Sequence, residues 1–305
     1  MKKGLSLISV LVGGVCCILP VLTVSCSSDR NTNSIRYAIE NYVRSRDAEI
    51  GVCVIIDSRD TIRINNDTAY PMNSVMKLYQ AVALADYMHK NRIPLGSVLD
   101  IKAAELRQGT YSPLRDSIGT ADCSMSIAEI IRYSLQFSDN NACDILFNHL
   151  LDTKSVDAYI RNLRIGEFAI SVDENAMHLN PELVAENRTH PDAAAALINM
   201  LYTDEKHFHE YRRFVTDVLD ACSTGKNRLS KPLVGTEAII GHKTGTGFED
   251  ENGRPQGIND VGFVRLPDGR HYAIAVFVKS SQYDMAATEQ IIADISETVY
   301  RHFAE

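Results

Sequence analysis

The 305-residue chain contains no C-x-x-C pair and no H-E-x-x-H string, and its nine histidines are scattered without ligand spacing. The common zinc sites are thereby excluded, and no metal is expected. There is no internal repeat, no low-complexity tract and no Pro/Gly-rich linker, which favours one compact unit. Positive charge is in deficit: 31 Lys and Arg stand against 39 Asp and Glu, a net of −8. That acidity argues against nucleic acid as a partner. A membrane-spanning run is also missing everywhere except at the extreme N-terminus.

What is present begins with that terminus. Lys2 and Lys3 precede an uncharged apolar run from Leu5 to Val24, the pattern of an export signal. The run is long enough to span a bilayer, so an uncleaved anchor is the competing reading. Ser25-Cys26-Ser27-Ser28 at its end suggests cleavage before Cys26 and lipidation of that thiol, with plain secretion as the alternative; Thr23 stands where a leucine is usual. Removing residues 1–25 takes two lysines with it, from −8 to −10, and leaves a single domain, 26–305, large enough for a substantial core. The expected product is exported and periplasmic, touches a membrane only through Cys26, and is a monomer by default. Cys53, Cys123, Cys143 and Cys222 remain, enough for two disulfides in an exported chain. Cys53 and Cys143 sit in apolar runs and read as small core residues.

Residues 35–46 have helical periodicity, with Ser34 as a possible cap, and two strand-like runs follow at 50–57 and 61–65, joined as a hairpin. From Ser74 to about Asp220 the pattern is mostly helical, at 78–88, 127–135, 142–151 and 191–201. Strands return at 237–242, 260–266 and 271–279, and 285–303 is an amphipathic helix. The fold expected is α/β in the broad sense (α+β). A five-stranded antiparallel sheet from both chain ends (26–73 and 221–305), flanked by terminal helices, supports an all-helical lobe (74–220).

Three short strings occur once each and in order: Ser74-Val75-Met76-Lys77, Ser138-Asp139-Asn140 and Lys243-Thr244-Gly245, at intervals of 64 and 105 residues. Alone, S-x-x-K recurs about once in 250 positions and says little. Ser-Asp-Asn alone is as readily a turn or a helix cap. Together they bring two serines and two lysines to the junctions between lobes, where small-molecule clefts form. A serine hydroxyl needs a base to become a nucleophile. Ser74 and Lys77, at i and i+3, share one helical face, and Lys243 nearby would lower the pKa of Lys77. The set reads as an acyl-transfer site.

With these motifs the chain resembles the class A serine β-lactamases, a family marked by this trio. Tyr70-Pro71-Met72-Asn73 leads into Ser74 in the family manner, Tyr111-Ser112-Pro113 resembles the aromatic wall of its pocket, and Asn140-Asn141-Ala142-Cys143-Asp144 continues the second motif. The resemblance implies a β-lactam substrate, no cofactor, and an acyl-enzyme on Ser74. It implies an oxyanion hole from the N–H groups of Ser74 and Thr246, a proton relay through Ser138, and Asn140 on the substrate's side-chain amide. Lys243, Thr244, Gly245, Thr246 and Arg228 would receive the substrate carboxylate, Arg228 substituting for the family's frequent strand arginine, whose place Ile258 occupies. Asp139 reads as structural. Whether Lys77 or Glu174 deprotonates Ser74 stays open, with Lys77 and Ser138 preferred.

Deacylation in the family uses a loop glutamate. Glu182, in Pro181-Glu182-Leu183, and Glu174, 36 residues after Ser138, compete, and the interval favours Glu174. The loop departs from the family: Asn175 replaces a proline, His178 an asparagine, and Val172 and Asn187 an Arg–Asp ion pair, so it must be anchored differently. These departures resemble the extended-spectrum, cephalosporin-hydrolysing branch. Carbapenem hydrolysis is disfavoured, because Asn73 stands where such members carry a cysteine. The rivals are a D,D-peptidase and a penicillin-sensing domain, both of which acylate without turnover.

Overall fold

The structure, a computed structural model, describes Met1 and residues 25–119, 121–204 and 209–304, with side chains described from Thr32. Residues 2–24, nearly all of the expected export signal 1–25, lie outside the described residues. The central sheet has strands β1 (Glu49–Ile56), β2 (Asp60–Ile64), β3 (Ile239–Thr246), β4 (Gly257–Arg265) and β5 (His271–Lys279), in the order β2-β1-β5-β4-β3, antiparallel throughout. Val52, Val54, Ile274, Val276 and Val264 face the terminal helices, Ser25–Arg44 and Met285–Ala304, which contribute Ile35, Ile39, Ile291, Ile292, Ile295 and Val299. Cys53, Ala273, Ala275, Phe277 and Val261 face the other way, into the core of the helical region. Both faces are therefore covered, and β5 reads as a nearly continuous apolar run instead of an alternating one.

The central helix, Met76–Asn91, buries twelve of its sixteen residues on all sides, Lys77, Gln80 and Asp86 among them. It carries the face on which Ser74 and Lys77 lie.

Three details differ from the sequence reading. The first helix begins at Ser25, so Ser34 lies inside it instead of capping it. Lys243 is on a strand as expected, but the bounds shift: β3 starts at Ile239 and reaches Thr246, and β4 starts at Gly257, held by pairing of Lys243, Thr244 and Gly245 with Val261, Asp260 and Asn259. The middle of the chain is not wholly helical: Val98–Ile101 pairs with Cys123–Ser126, and Arg188–Thr189 lies between Tyr70–Pro71 and Phe168–Ala169.

Candidate active site

Ser74 stands in a 3-10 turn, Asn73–Val75, that runs directly into the central helix. Asn73 before it has φ +48, and Ser138 has φ +61. Left-handed backbone costs of order 1 kcal/mol for such residues and is concentrated at functional sites. At Gly245 no side chain fits: an added Cβ would lie 2.5 Å from the Met72 carbonyl. β3 thus presses against the nucleophile's turn, and Asn259 Nδ2 fastens it by donating to the carbonyls of Pro71 (2.8 Å) and Met72 (3.1 Å).

Lys77 Nζ donates to Ser74 Oγ (2.8 Å), to Asn140 Oδ1 (2.7 Å) and to the Ser138 carbonyl (3.1 Å). It also forms an ion pair with Glu174 Oε1 at 2.6 Å. Ser74 Oγ in turn lies 3.4 Å from the same carboxylate oxygen. Four acceptors surround an amine with three protons, and Lys77 is fully buried. Lys243, also fully buried, donates to Ser138 Oγ at 2.8 Å. Burial, and then the charge of Lys77, push the Lys243 ammonium down to about 7. The repulsion inferred from sequence, Lys243 acting on Lys77, thus shows its effect on Lys243.

The cleft holding these groups, roughly 420 Å³, is also lined by Tyr111, Asn140, His178, Arg228, Thr244, Thr246 and Phe248. Tyr111 is 59 % exposed, a wall open to solvent. Asn140 is aimed by Thr110, whose Oγ1 accepts from its Nδ2 (2.9 Å). Arg228, 4 % exposed, gives Nε to Glu289 (3.0 Å), Nη1 to the carbonyls of Gly245 and Asn259 (3.1 Å each) and Nη2 to Thr246 Oγ1 (2.7 Å). Four of its five N–H groups are committed, leaving one on Nη2 for the cleft. Thr244 Oγ1 is bonded to Thr224 Oγ1 at 2.6 Å. Ile258 is wholly buried.

Of the two competing glutamates, Glu174 is in the cleft and Glu182 lies exposed on the surface. Asp173 caps the short helix Glu174–Leu179 through Ala176 N–H (2.7 Å). Asp144 accepts the N–H groups of Glu174 and Asn175 (both 2.9 Å) and pairs with Arg107. The loop's other fastening is Asn187, fully buried: Oδ1 accepts from Ser171 N–H (2.8 Å) and Val172 N–H (3.1 Å), and Nδ2 donates to the Val172 carbonyl (2.8 Å). An amide thus pins the loop at the two positions where an ion pair was missing. Asp139 accepts from Ala142 N–H (2.8 Å), Leu114 N–H (2.7 Å) and Ser112 Oγ (2.9 Å), a cap holding the Asn140 helix.

Asp144, Thr110, Thr224 and Glu289 were not singled out from the sequence as supports. Asp144 alone had a visible signal, being four residues beyond Asn140 on the same helical face. All four described cysteines are free, with Cys53 and Cys143 buried. Among the described residues, no cluster of His, Cys, Asp and Glu could hold a metal, and no helix is long and apolar enough to cross a membrane.

A serine bonded to a buried lysine, with a second serine bonded to a second lysine across a cleft, defines a serine acyl-transfer enzyme. The family model described as "Beta-lactamase enzyme family" matches residues 34–303. The chain belongs to that family, and within it is a class A serine β-lactamase. A β-lactamase of Phocaeicola vulgatus is 35 % identical over 271 residues, covering 88 % of this chain and 84 % of the relative. The crystal structure of a class A β-lactamase representative from Bacteroides cellulosilyticus shares 33 % identity with a TM-score of 0.85, over 90 % of this chain and 98 % of that one. The TLA-3 extended-spectrum β-lactamase shares 32 % identity with a TM-score of 0.86, over 90 % and 100 %.

Proposed function

We propose that this β-lactamase hydrolyses β-lactam antibiotics, cephalosporins above all, by a serine acyl-enzyme route, as an exported single domain of residues 26–305. The reading rests on one observation: Glu174 Oε1 lies 2.6 Å from Lys77 Nζ and 3.4 Å from Ser74 Oγ. Acylation alone needs no such carboxylate. Release of the acyl group by water does, and positioned proton transfer is worth about 10²–10⁴-fold.

Ser74 Oγ attacks the lactam carbonyl, whose oxygen is received by the N–H groups of Ser74 and Thr246. Each such donor is worth about 10²–10³ in rate. The proton leaving Ser74 passes to neutral Lys77 and on to Ser138, which leaves Glu174 a carboxylate for the second half-reaction. Ser138, held by Lys243, delivers a proton to the departing nitrogen. Lys243, Thr244, Thr246 and the remaining N–H of Arg228 hold the substrate carboxylate by charge-assisted bonds. Gly245 keeps β3 close to Ser74, Asn140 binds the side-chain amide and Tyr111 walls the cleft. Glu174 then activates water against the ester, and Ser74 is free again. Likeness to an extended-spectrum enzyme and the unusual loop support the cephalosporin preference. The chain's leader supports export, with Cys26 as the lipid-bearing residue.

The test is a chromogenic cephalosporin added to purified protein. Many turnovers per molecule are expected; a single stoichiometric burst would overturn the reading in favour of a D,D-peptidase or a sensor domain. Labelled palmitate incorporation, lost in Cys26→Ala, tests the anchor.

A further inference from the structure

The two N–H groups assigned above to the lactam oxygen belong to different elements, Ser74 to the turn Asn73–Val75 and Thr246 to the end of β3. An oxyanion hole works only when both donors lie about 2.7–3.1 Å from one point, so the turn must be fixed against the sheet. Two asparagine amides reach across this junction in opposite directions. From β4, Asn259 Nδ2 donates to the carbonyls of Pro71 (2.8 Å) and Met72 (3.1 Å). From the turn, Asn73 Nδ2 donates to the Gly257 carbonyl at the start of β4 (3.4 Å). The Met72 carbonyl also accepts the Val75 N–H (3.1 Å), the bond that closes the turn around Ser74. Asn259 therefore grips the carbonyl on which the nucleophile's own turn is built.

The grip is buried and held at both ends. Asn259 is 1 % exposed, and its own carbonyl accepts from Nη1 of buried Arg228 (3.1 Å). Its ladder partner on β3 is Gly245, where an added Cβ would lie 2.5 Å from the Met72 carbonyl oxygen and 3.1 Å from Asn259 Nδ2. At Gly257 an added Cβ would lie 2.9 Å from Asn73 Nδ2. Strand and turn thus meet without a side chain between them at Gly245, and Thr246 follows directly. At such separations a shift of the turn passes straight to the strand.

We propose that Asn259 is the positioning residue of the oxyanion hole: its amide sets the spacing between the Ser74 and Thr246 N–H groups, and so governs acylation and deacylation alike. Both half-reactions pass through a tetrahedral intermediate whose oxygen carries the charge, and both need the two donors. Glu174, by contrast, activates water in the second half only. Asn259 does not line the cleft; it acts through the carbonyls of Pro71 and Met72. The inference rests on the hole given above to Ser74 and Thr246.

The test is Asn259→Ala, read in two ways. Single-turnover rate constants with a chromogenic cephalosporin should fall about 10²-fold for acylation and by the same factor for deacylation, the low end of the cost of one lost donor. Being first-order, these constants do not depend on the folded fraction. In the Glu174→Ala background, where the acyl adduct persists, difference infrared spectroscopy of an adduct labelled at the ester carbonyl reports the hole directly. Two well-placed donors hold that band below its frequency in the unfolded adduct, and Asn259→Ala should raise it towards that value. Asn259→Leu fills nearly the same space without a donor and should give the same shift, which keeps the test open if the alanine variant does not fold. A parent-like band with parent-like acylation in either folded variant would overturn the proposal, as would a loss confined to deacylation. If the Glu174→Ala adduct with Asn259 intact already matched the unfolded adduct, the hole itself would be wrongly assigned, and the proposal would fall with it.

Discussion

Asn187 is the residue whose replacement tests the loop most directly. Its buried side chain alone satisfies two N–H groups and one carbonyl of Ser171 and Val172, the first exposed and the second half-buried. In Asn187→Ala these three backbone groups lose their partners. At the low end of the cost of an unpaired buried group, about 1 kcal/mol each, the variant loses about 3 kcal/mol. At about 2 °C per kcal/mol for a domain of this size, its melting temperature falls by about 6 °C. Val172 is two residues from Glu174, whereas Ser74 and Lys77 belong to the central helix and its leading turn. Deacylation should therefore suffer more than acylation. A stopped-flow burst of one chromophore per enzyme, followed by slow turnover, is the expected trace, with the acyl-enzyme visible by intact mass. Asn187→Asp separates geometry from size: its carboxylate keeps the acceptor but faces the Val172 carbonyl without a donor. Burial raises its pKa, and only its protonated form can donate to Val172, so its defect should ease as the pH falls. An Asn187→Ala enzyme that melts within about 1 °C of the parent and shows no burst would refute the anchoring role.

The other predictions concern the groups in the cleft. Glu174→Ala should accumulate an acyl adduct on Ser74, and normal turnover in that variant would exclude Glu174 as the deacylating residue. Lys243 has its pKa depressed to about 7 in the folded enzyme and must be protonated to hold the substrate carboxylate. Thus kcat/KM, which reports the free enzyme, should fall as pH rises through about 7. In the complex the carboxylate restores the charge, so kcat should hold to higher pH. A kcat/KM profile flat from pH 6 to 9 would contradict this. Glu289→Gln leaves Arg228 buried with a weaker partner; KM should rise about tenfold, roughly the value of one charge-assisted bond, with kcat little changed. Equal effects on kcat and KM would argue that Glu289 is only structural.

The residues legible in the sequence are those whose own functional groups line or meet in the cleft. Ser74, Lys77, Ser138 and Lys243 stand in short strings, and the 36-residue interval from Ser138 is enough to choose Glu174 over Glu182. The elements that carry them were legible too, because the central helix and β5 are long, mostly apolar runs. Residues that act through the backbone were not. Asn187 and Asp144 hold the loop by bonding N–H and C=O groups, which every sequence has, so no side-chain pattern announces them. Glu289 supports Arg228 across 61 positions, a distance no local period spans. The two-residue strands at Tyr70–Pro71, Phe168–Ala169 and Arg188–Thr189 are too short for alternation to show.

The cleft's two lysines explain why so many of these supports are needed. Burying one ammonium is costly, and burying two near each other adds repulsion. Each has an opposing charge: Lys77 that of Glu174, and Lys243 that of buried Asp260. Between them lies Ser138, its carbonyl accepting from one amine and its hydroxyl from the other, on a backbone with φ +61. That conformation lets one residue face both cations at once. It also places the hydroxyl between a proton-rich lysine and the cleft, where the departing lactam nitrogen would need its proton. Glycine at 138 would relieve the strain and remove the relay together. Ser138→Gly relieves the left-handed backbone but strips buried Lys243 of an acceptor, so stability should change little or fall while acylation slows.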